Sequence, residues 1–326
     1  MLTQENPESV PFHAPLIAAT RGGVIESVHY GSITVRDGQG NELVRVGDPA
    51  APMYARSSLK PLQILAMIEN GFEGTPEQIA LGAASHSGEK IHLDTVASTL
   101  ADAGLSPAAL RNTPDLPIGK AAHDQAIREQ WEPQSITQNC SGKHAAMLAT
   151  CVINGWDTET YLHASHPLQR AIRATIERVT GEEVQGVTVD GCGAPLFYQS
   201  LDALSRGFAH IARSGAAEPQ SPEGLVFHAI TQNPEHLGGK DRDVTAMMRA
   251  FEGLMCKDGA ESVHAGAFAD GSSFALKISD GGARGRIAAT LRALEILGHH
   301  DESLNHAHLP KVLGHGNEVG SVSALF

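Results

Sequence analysis

Strand-type patterns lie near both ends of the chain and helix-type patterns lie between them, and this order restricts the folds open to it. Residues 16–47 are short β-branched runs separated by Gly-Gly and Asp-Gly-Gln-Gly turns, which is typical of hairpins in an antiparallel sheet. Towards the other end, FALKI at 274–278 predicts a strand and SDGGARG at 279–285 predicts a loop. The sequence therefore predicts an α+β fold, an α/β sandwich whose antiparallel sheet is formed by both chain ends around a helical middle region.

Apolar residues at a period of 3.6 predict a first helix that ends at Asn70-Gly71. Thr75, followed by Gln78, forms a capping box that predicts the start of a second helix. Further helices are predicted at 90–103, 121–130, 144–154, 167–180, 201–214, 223–233 and 286–297. Because no linker, repeat or low-complexity segment divides the chain, we expect a single domain over residues 1–326.

Charge and composition exclude several classes of partner. The chain has 24 Lys and Arg against 37 Asp and Glu, a formal net charge of −13 without a basic run, which argues against nucleic acid and anionic membrane as partners. The first fifteen residues lack the apolar core of a secretory signal, and no stretch is long and apolar enough to cross a membrane. We expect a cytoplasmic protein, in which the four cysteines are free thiols, metal ligands or nucleophiles rather than disulfides.

A serine precedes a lysine by three residues in the stretch RSSLKPLQ. Pro61 is tolerated only in the first turn of a helix, so the helix should start near Ser57 or Ser58, with Lys60 one turn after Ser57. A lysine amine whose pKa is lowered can activate a serine hydroxyl as a nucleophile. The alternative is an ordinary N-cap serine followed by a solvated helix lysine.

Two other segments could contribute to such a site. In AASHSGE, Ser85 lies close to the end of an apolar element, and His86 could be a base, a ligand or a plain loop residue. Lys277 lies in the predicted strand before a glycine turn, as in the Lys-Thr-Gly strand of penicillin-recognising enzymes. The alternative for Lys277 is an outward-facing strand residue, and the Ser-Asp-Asn element of those enzymes is missing.

Two cysteines occupy glycine-containing loops. Cys140 and Lys143 lie in NCSGKH before an apolar helix, and Cys192 lies in DGCGAP after a strand-like run. Two thiols with a nearby amine could hold zinc with one position left for water, but the spacing matches no standard zinc motif. From these residues alone, a zinc site, a thiol nucleophile and buried structural thiols all remain open. Cys151 and Cys256 are most simply core thiols.

The motifs together resemble a known family. ATRGGVIESVHYGS, ARSSLKPLQ, ASHSGE, QNCSGKHAAML, DGCGAP and LKISDGGARG occur in the order and approximate spacing of the L-asparaginase II family of the Rhizobium etli type, also called class 3 asparaginases. The resemblance covers nearly the whole chain. It implies an architecture like that of serine β-lactamases and glutaminases, unrelated to the threonine-nucleophile asparaginases.

The resemblance also implies roles for individual residues. Ser57 with Lys60 matches the family's catalytic pair, and Ser85 with Lys277 matches a second pair. The implied zinc (Zn²⁺) ligands are Cys140, Lys143 and Cys192. The residues implied to bind substrate, by lining the site or orienting these groups, are Arg56, Asn139, His144 and Asp190.

The implied activity is hydrolysis of L-asparagine to L-aspartate and ammonia, with weaker action on L-glutamine, by a homodimer. Two other functions remain open. One is a zinc-binding regulatory protein without catalysis on the same scaffold, and the other is a serine lactamase or peptidase.

Overall fold

The main sheet joins strands from both ends of the chain, as the sequence predicts. The structure, a computed structural model, describes residues 10–326 apart from the side chains of residues 305 and 306. The described strands are β1 Ala14–Arg21, β2 Val24–Arg36, β3 Glu42–Val46, β4 Pro52–Tyr54, β5 Gly186–Val189, β6 Pro195–Ser200, β7 Met255–Gly259, β8 Val263–Ala267, β9 Ser273–Ile278, β10 Val312–Gly314, β11 Asn317–Gly320 and β12 Val322–Ala324. Seven of them form an antiparallel sheet in the order β12-β1-β2-β9-β8-β7, with β3 also paired to β2.

Helices fill the middle of the chain and cover the sheet. They are α1 Lys60–Glu69, α2 Pro76–Gly82, α3 Lys90–Asp102, α4 Lys120–Arg128, α5 Ser141–Asn154, α6 Pro167–Thr180, α7 Leu201–Ala217, α8 Pro222–Gln232, α9 Pro234–Leu237, α10 Asp243–Ala250, α11 Ala283–Ile296 and α12 Glu302–His308. Every residue of β8 is buried, and successive side chains of a strand point to opposite faces, so both faces of the sheet are covered there. α7 and α11 both pack against β8 and β9. Among residues 10–326, no helix has the length and apolar character needed to cross a bilayer.

Several helix boundaries differ from the sequence predictions. The α-helix containing Pro61 begins at Lys60, and the preceding residues Arg56–Leu59 form a 3₁₀ turn instead. α5 starts at Ser141 rather than at residue 144, so Lys143 lies in its first turn. α11 starts inside the segment predicted as a loop, at Ala283. Helix starts shift in this way because the first turn needs only backbone geometry and a side-chain or backbone partner, not an apolar residue.

A second, three-stranded sheet in the order β4-β6-β5 places two segments of the site. β4 pairs with β6 and ends two residues before Arg56, and β5 pairs with β6 and ends one residue before Asp190. β4 ends opposite Tyr198 and β5 ends opposite Pro195, so the turns that follow these two strands start three residues apart along β6. This sheet fixes the separation between the serine-lysine segment and the second cysteine loop.

Candidate active site

The amine of Lys60 lies at the centre of the predicted site. Its side chain is 1% exposed, and Nζ donates to the backbone carbonyl of Ala84, to Oγ of Ser85 at 3.1 Å and to Sγ of Cys140 at 3.1 Å. One buried amine therefore contacts residues from both the serine loop and the predicted zinc loop. The sequence alone does not show how close these two segments lie in space.

Ser57 is placed differently from Ser85. It lies one turn before Lys60, is half-buried, and its carbonyl accepts the backbone N–H of Lys60. Within residues 10–326, no protein group hydrogen bonds to the Ser57 hydroxyl, whereas the neighbouring Ser58 is fully buried and donates to the Lys257 carbonyl at 3.1 Å. Of the two predicted catalytic serines, Ser57 is thus the more accessible, and Ser85, 7% exposed, is the one bonded to Lys60.

Lys257, on β7, is a second buried lysine at this site, and the sequence analysis did not select it. Its Nζ donates to the Asp258 carbonyl at 2.6 Å and to Oδ1 of Asp258 at 2.7 Å. Burial lowers the pKa of Lys257 to about 8, Asp258 opposes this shift, and the nearby charge of Lys60 adds to it. A signal for Lys257 was present in the sequence, because LMCKD places a lysine inside an otherwise apolar strand next to a carboxylate.

Lys277 lies elsewhere. It is half-buried on β9, and its Nζ donates to the carbonyls of Glu261 at 3.0 Å and Ile278 at 3.3 Å. Burial lowers its pKa, and the Glu261 charge opposes that shift. The hydrogen bonds of Lys60 and Ser85 do not include Lys277. The catalytic role given to Lys277 therefore stays a prediction.

The structure brings Cys140, Lys143 and Cys192 into one buried cluster. Nζ of Lys143 lies 3.3 Å from Sγ of Cys192, and Cys140 and Cys192 pack together with Ala194. Interaction with the Cys140 thiol lowers the pKa of Cys192 to about 5, burial opposes the shift, and the Lys143 charge adds to it. Interaction with Cys192 and burial raise the pKa of Cys140 to about 12. Burial alone would lower the pKa of Lys143, but negative charge on the cysteine sulfurs and on Asp190 raises it overall.

The separation between two of these donors is compatible with a zinc ion. Tetrahedral zinc with one thiolate and one nitrogen ligand separates the two ligand atoms by roughly 3.5 Å, close to the 3.3 Å between Lys143 and Cys192. In the part of the chain that the structure describes, no group of three or more His, Cys, Asp or Glu side chains could hold a metal ion. A zinc ion here would therefore need the amine of Lys143 as its third protein ligand.

An ion pair joins the two segments that leave the small sheet. Nε of Arg56 donates to Oδ1 of Asp190 at 2.8 Å, and the backbone N–H of Gly191 donates to the same oxygen at 2.9 Å. Burial raises the pKa of Asp190, but the charges of Lys143 and Arg56 outweigh it and lower the pKa overall. Arg56 has a φ of 52°, a left-handed conformation that costs about 1 kcal/mol or more in a non-glycine residue. The backbone strain thus lies immediately before Ser57.

Asn139 and His144 flank the thiol cluster. Oδ1 of Asn139 accepts the Cys140 thiol at 2.9 Å, and the carbonyl of Asn139 accepts the N–H of His86 at 3.1 Å. Nδ1 of His144 bonds to the Tyr161 hydroxyl at 2.8 Å, and its buried Nε2 has no hydrogen-bond partner. Burial and the Lys143 charge lower the pKa of His144 well below its ordinary value, so it is neutral. Both residues lie beside the predicted ligands, and their role towards a substrate stays a prediction.

A cavity of about 390 Å³ opens beside these groups. Among the predicted site residues, Arg56, Asp190 and Lys277 line it, together with the carboxylates of Asp48 and Glu261. Its walls carry both cationic and anionic side chains beside apolar ones. The cavity can therefore accommodate a small polar molecule that carries charges of both signs.

The sequence profile of the L-asparaginase II family matches residues 17–324, nearly the full length of the chain. The chain belongs to the L-asparaginase II family. This membership confirms the L-asparaginase II family that the motifs indicated, whereas the Rhizobium etli type stays a prediction, and it supports an amidohydrolase that acts on a small molecule. No curated protein sequence matches this L-asparaginase II family member.

Several solved structures resemble this L-asparaginase II family member at low sequence identity. Mglu in its native form is 12% identical with a TM-score of 0.47, over 83% of this chain and 64% of the Mglu chain. A putative β-lactamase from Bacteroides dorei is 13% identical with a TM-score of 0.43, over 76% and 84% of the two chains. A Bacillus glutaminase is 12% identical with a TM-score of 0.36, over 86% and 91%. Likenesses of this strength say nothing about activity.

Proposed function

We propose that the protein hydrolyses the side-chain amide of L-asparagine to L-aspartate and ammonia, with weaker action on L-glutamine. The observation that carries this proposal is the buried Lys60 amine, which donates to the Ser85 hydroxyl. The accessible Ser57 lies one turn before Lys60 in the chain. Desolvated amines beside hydroxyl groups are suited to general-base chemistry. Membership of the L-asparaginase II family supports the amide as the bond that is broken.

Ser57 is the proposed nucleophile. Its Oγ forms a bond to the side-chain amide carbon of the substrate while its proton passes to the Lys60 amine. The tetrahedral intermediate then breaks the C–N bond, and ammonia leaves with a proton returned from Lys60 through the hydroxyl of Ser85. Water attacks the resulting ester and releases aspartate, which regenerates the Ser57 hydroxyl.

Lys257 is the amine best suited to hold the proton that the attacking water gives up in the second half of this cycle. With a pKa of about 8, it can be neutral or charged close to physiological pH. It lies near enough to Lys60 for the two charges to disfavour each other. We therefore assign Lys257, rather than Lys277, to proton exchange with the first pair, and place Lys277 at the wall of the cavity.

Recognition of the amino-acid end of the substrate is assigned to the cavity beside the site. The Arg56 guanidinium can pair with an α-carboxylate, and the Asp190 carboxylate can accept an α-ammonium. Their mutual ion pair keeps both groups oriented. Asn139 and His144 then support the adjoining thiol cluster.

Cys140, Lys143 and Cys192 are the residues that would hold a zinc ion in this proposal. When bound, zinc would supply a fixed cationic centre and draw the two loops together. The amine of Lys143 would have to give up its proton to become a ligand. The chain's own residues carry the proton transfers described above.

Two further properties belong to this proposal. We assign the chain to the Rhizobium etli type of the family, the class 3 asparaginases, because its six motifs follow that order. We also propose that it works as a cytoplasmic homodimer. The elution volume together with light scattering of the purified protein measures the oligomeric state directly, and a monomer at micromolar concentration would overturn the dimer.

The experiment that tests the activity is ammonia release from L-asparagine and L-glutamine by the purified protein. Ser57→Ala and Lys60→Ala should each lose roughly a thousandfold or more of kcat/KM. Lys120→Ala is a matched control, because that lysine is exposed on α4 and pairs only with Asp124. Unchanged activity in both site variants would rule out the mechanism, and absence of ammonia from either amide would rule out the activity.

A further inference from the structure

One arginine contacts two separate parts of the site. Arg242, the residue before α10, donates from Nη1 to the Ser85 carbonyl at 3.3 Å and from Nη2 to Oδ2 of Asp258 at 2.6 Å. The Ser85 loop lies between α2 and α3, whereas Asp258 lies on β7. A single planar guanidinium thus spans two segments that are far apart in the sequence.

Asp258 carries the connection onward. Its Oδ2 accepts Arg242 and its Oδ1 accepts the amine of Lys257 at 2.7 Å, so the two carboxylate oxygens have different cationic partners. Asp258 is 8% exposed and Lys257 is fully buried. Buried charges are stable only when they are paired and hydrogen bonded, so removing one member changes the electrostatic state of the others.

Both ends of this connection lie near Lys60. Ser85 accepts the Lys60 amine through its hydroxyl at 3.1 Å, and the Lys60 charge acts on the Lys257 amine. We propose that Arg242 and Asp258 are a positioning pair that fixes the Ser85 loop relative to the Lys257 amine, and so sets the geometry of both around Lys60. This role rests on the proposed function, and neither residue of the pair touches the reacting atoms.

The charges that face Lys257 decide the direction in which each variant should shift its pKa. Asp258 attracts the charged form of Lys257, whereas Lys60 and Arg242 repel it. Removing the Arg242 charge should therefore raise the pKa of Lys257. Removing the Asp258 charge should lower it.

Other charged or titratable groups pack near the pair and have their own partners. Arg286, on α11, forms an ion pair with Asp243 at 2.8 Å and acts on Asp258. Burial lowers the pKa of His264, on β8, to about 3, so it stays neutral. Burial raises the pKa of Cys256, so its thiol stays protonated. Neither His264 nor Cys256 changes charge between about pH 6 and pH 9, roughly the range in which Lys257 titrates.

The test is the pH dependence of kcat/KM for ammonia release in Arg242→Met, Asp258→Asn and the double variant. The acidic limb is the part of the profile in which kcat/KM rises with pH. Arg242→Met should move this limb to higher pH by about half a unit or more, and Asp258→Asn should move it to lower pH by a similar amount. The double variant should lie between them. Arg242→Met should also lower kcat by about tenfold to a hundredfold, because a small misplacement of the serine loop impairs proton transfer.

Two variants separate positioning from structural support. Arg249→Met removes an arginine within α10, whose partner is Glu235, and should leave the acidic limb and kcat unchanged. Arg242→Lys keeps the charge but has a single donor group, so the limb should stay in place while kcat falls. This conservative variant answers the question even if Arg242→Met does not fold.

The outcomes distinguish the positioning role from the proposed function. Opposite shifts of the acidic limb in Arg242→Met and Asp258→Asn, with recovery in the double variant, would support the positioning role of the pair. Normal amide hydrolysis with the acidic limb unmoved in both single variants would overturn that role and leave the proposed function intact. If the unmodified protein releases no ammonia from either amide, the proposed function and this inference both fall.

Discussion

Cys140 lies 3.1 Å from Lys60, measured between Sγ and Nζ, so the thiol-amine cluster and the candidate general base are in direct contact. The thiol also donates to Oδ1 of Asn139 at 2.9 Å, so it bonds to two neighbouring groups. A change at the thiol must therefore alter the surroundings of the Lys60 amine. The state of the cluster and the rate of catalysis should be linked.

The first prediction concerns this contact. Cys140→Ala should lower bound zinc to well below one ion per chain and reduce kcat for asparagine at least about tenfold, because the variant lacks both a proposed zinc ligand and a partner for Lys60. Metal analysis and ammonia release measure the two effects. Cys151→Ala is the control, since that thiol is buried in the core cluster. It should cost stability of about 1 kcal/mol or more while the zinc content stays unchanged.

The second prediction compares the two candidate lysines. Lys257→Met should lower kcat/KM by about a hundredfold or more, because it removes the proposed proton-exchanging amine. Lys277→Met should act mainly on KM, because Lys277 lines the cavity and bonds to backbone carbonyls. Steady-state kinetics with asparagine decides between them. A larger loss of kcat in Lys277→Met than in Lys257→Met would reverse the assignment made from the structure.

The third prediction concerns pH. A lysine must be neutral to accept a proton, so activity that depends on Lys257 should rise with pH through its pKa of about 8 and be nearly lost two units below it. The pH profile of kcat/KM from about pH 6 to pH 9.5 measures this limb. Residual activity of Lys257→Met should lack the limb. An identical profile in that variant would assign the limb to another group.

The fourth prediction concerns the metal. Chelation should lower the midpoint of thermal unfolding, because an ion that binds the native cluster and not the unfolded chain stabilises the native state. Added Zn²⁺ should restore the midpoint in the unmodified protein. In Lys143→Met the midpoint should respond to neither treatment, since the third protein ligand is gone. Scanning calorimetry with and without chelator tests this, and a chelator response that persists in Lys143→Met would place the metal elsewhere.

The fifth prediction concerns the helix that carries the cluster. A Cβ added to Gly142 would lie 2.5 Å from both the carbonyl oxygen and Cγ of Leu81, so Gly142→Ala must push α5 away from α2. We expect a loss of about 1–3 kcal/mol in the free energy of unfolding together with weaker zinc binding. Val152→Ala on the exposed side of α5 should change neither property appreciably. Denaturant titration and metal analysis measure both, and a Gly142→Ala protein of full stability would contradict the packing.

The sequence predicted the parts of this site that depend on local order. Pro61 restricted the start of α1, and glycine turns located the two cysteine loops, so Lys60, Cys140 and Cys192 could all be selected. The strand patterns at the two chain ends correctly predicted a sheet that joins them. Such features follow from short-range backbone and periodicity rules.

The sequence could not predict contacts that depend on strand order. Lys257 and Lys277 both precede glycine-containing turns, and only the pairing of β7, β8 and β9 determines which one approaches Lys60. The same holds for the contact between Lys60 and Cys140, which are 80 residues apart. Long-range pairings of this kind leave no periodic trace near either residue.

The pairing of β4 and β5 with the same strand limits how this chain can tolerate insertions. β6 faces β4 on one edge and β5 on the other, and the turns to Arg56 and Asp190 follow from those two edges. Removing one residue from β6 would reverse its inward and outward side chains and displace both turns together. In contrast, the β10–β11 hairpin pairs mainly with itself and carries an exposed tip. Length variation between related chains should therefore collect at that hairpin and be rare in β6.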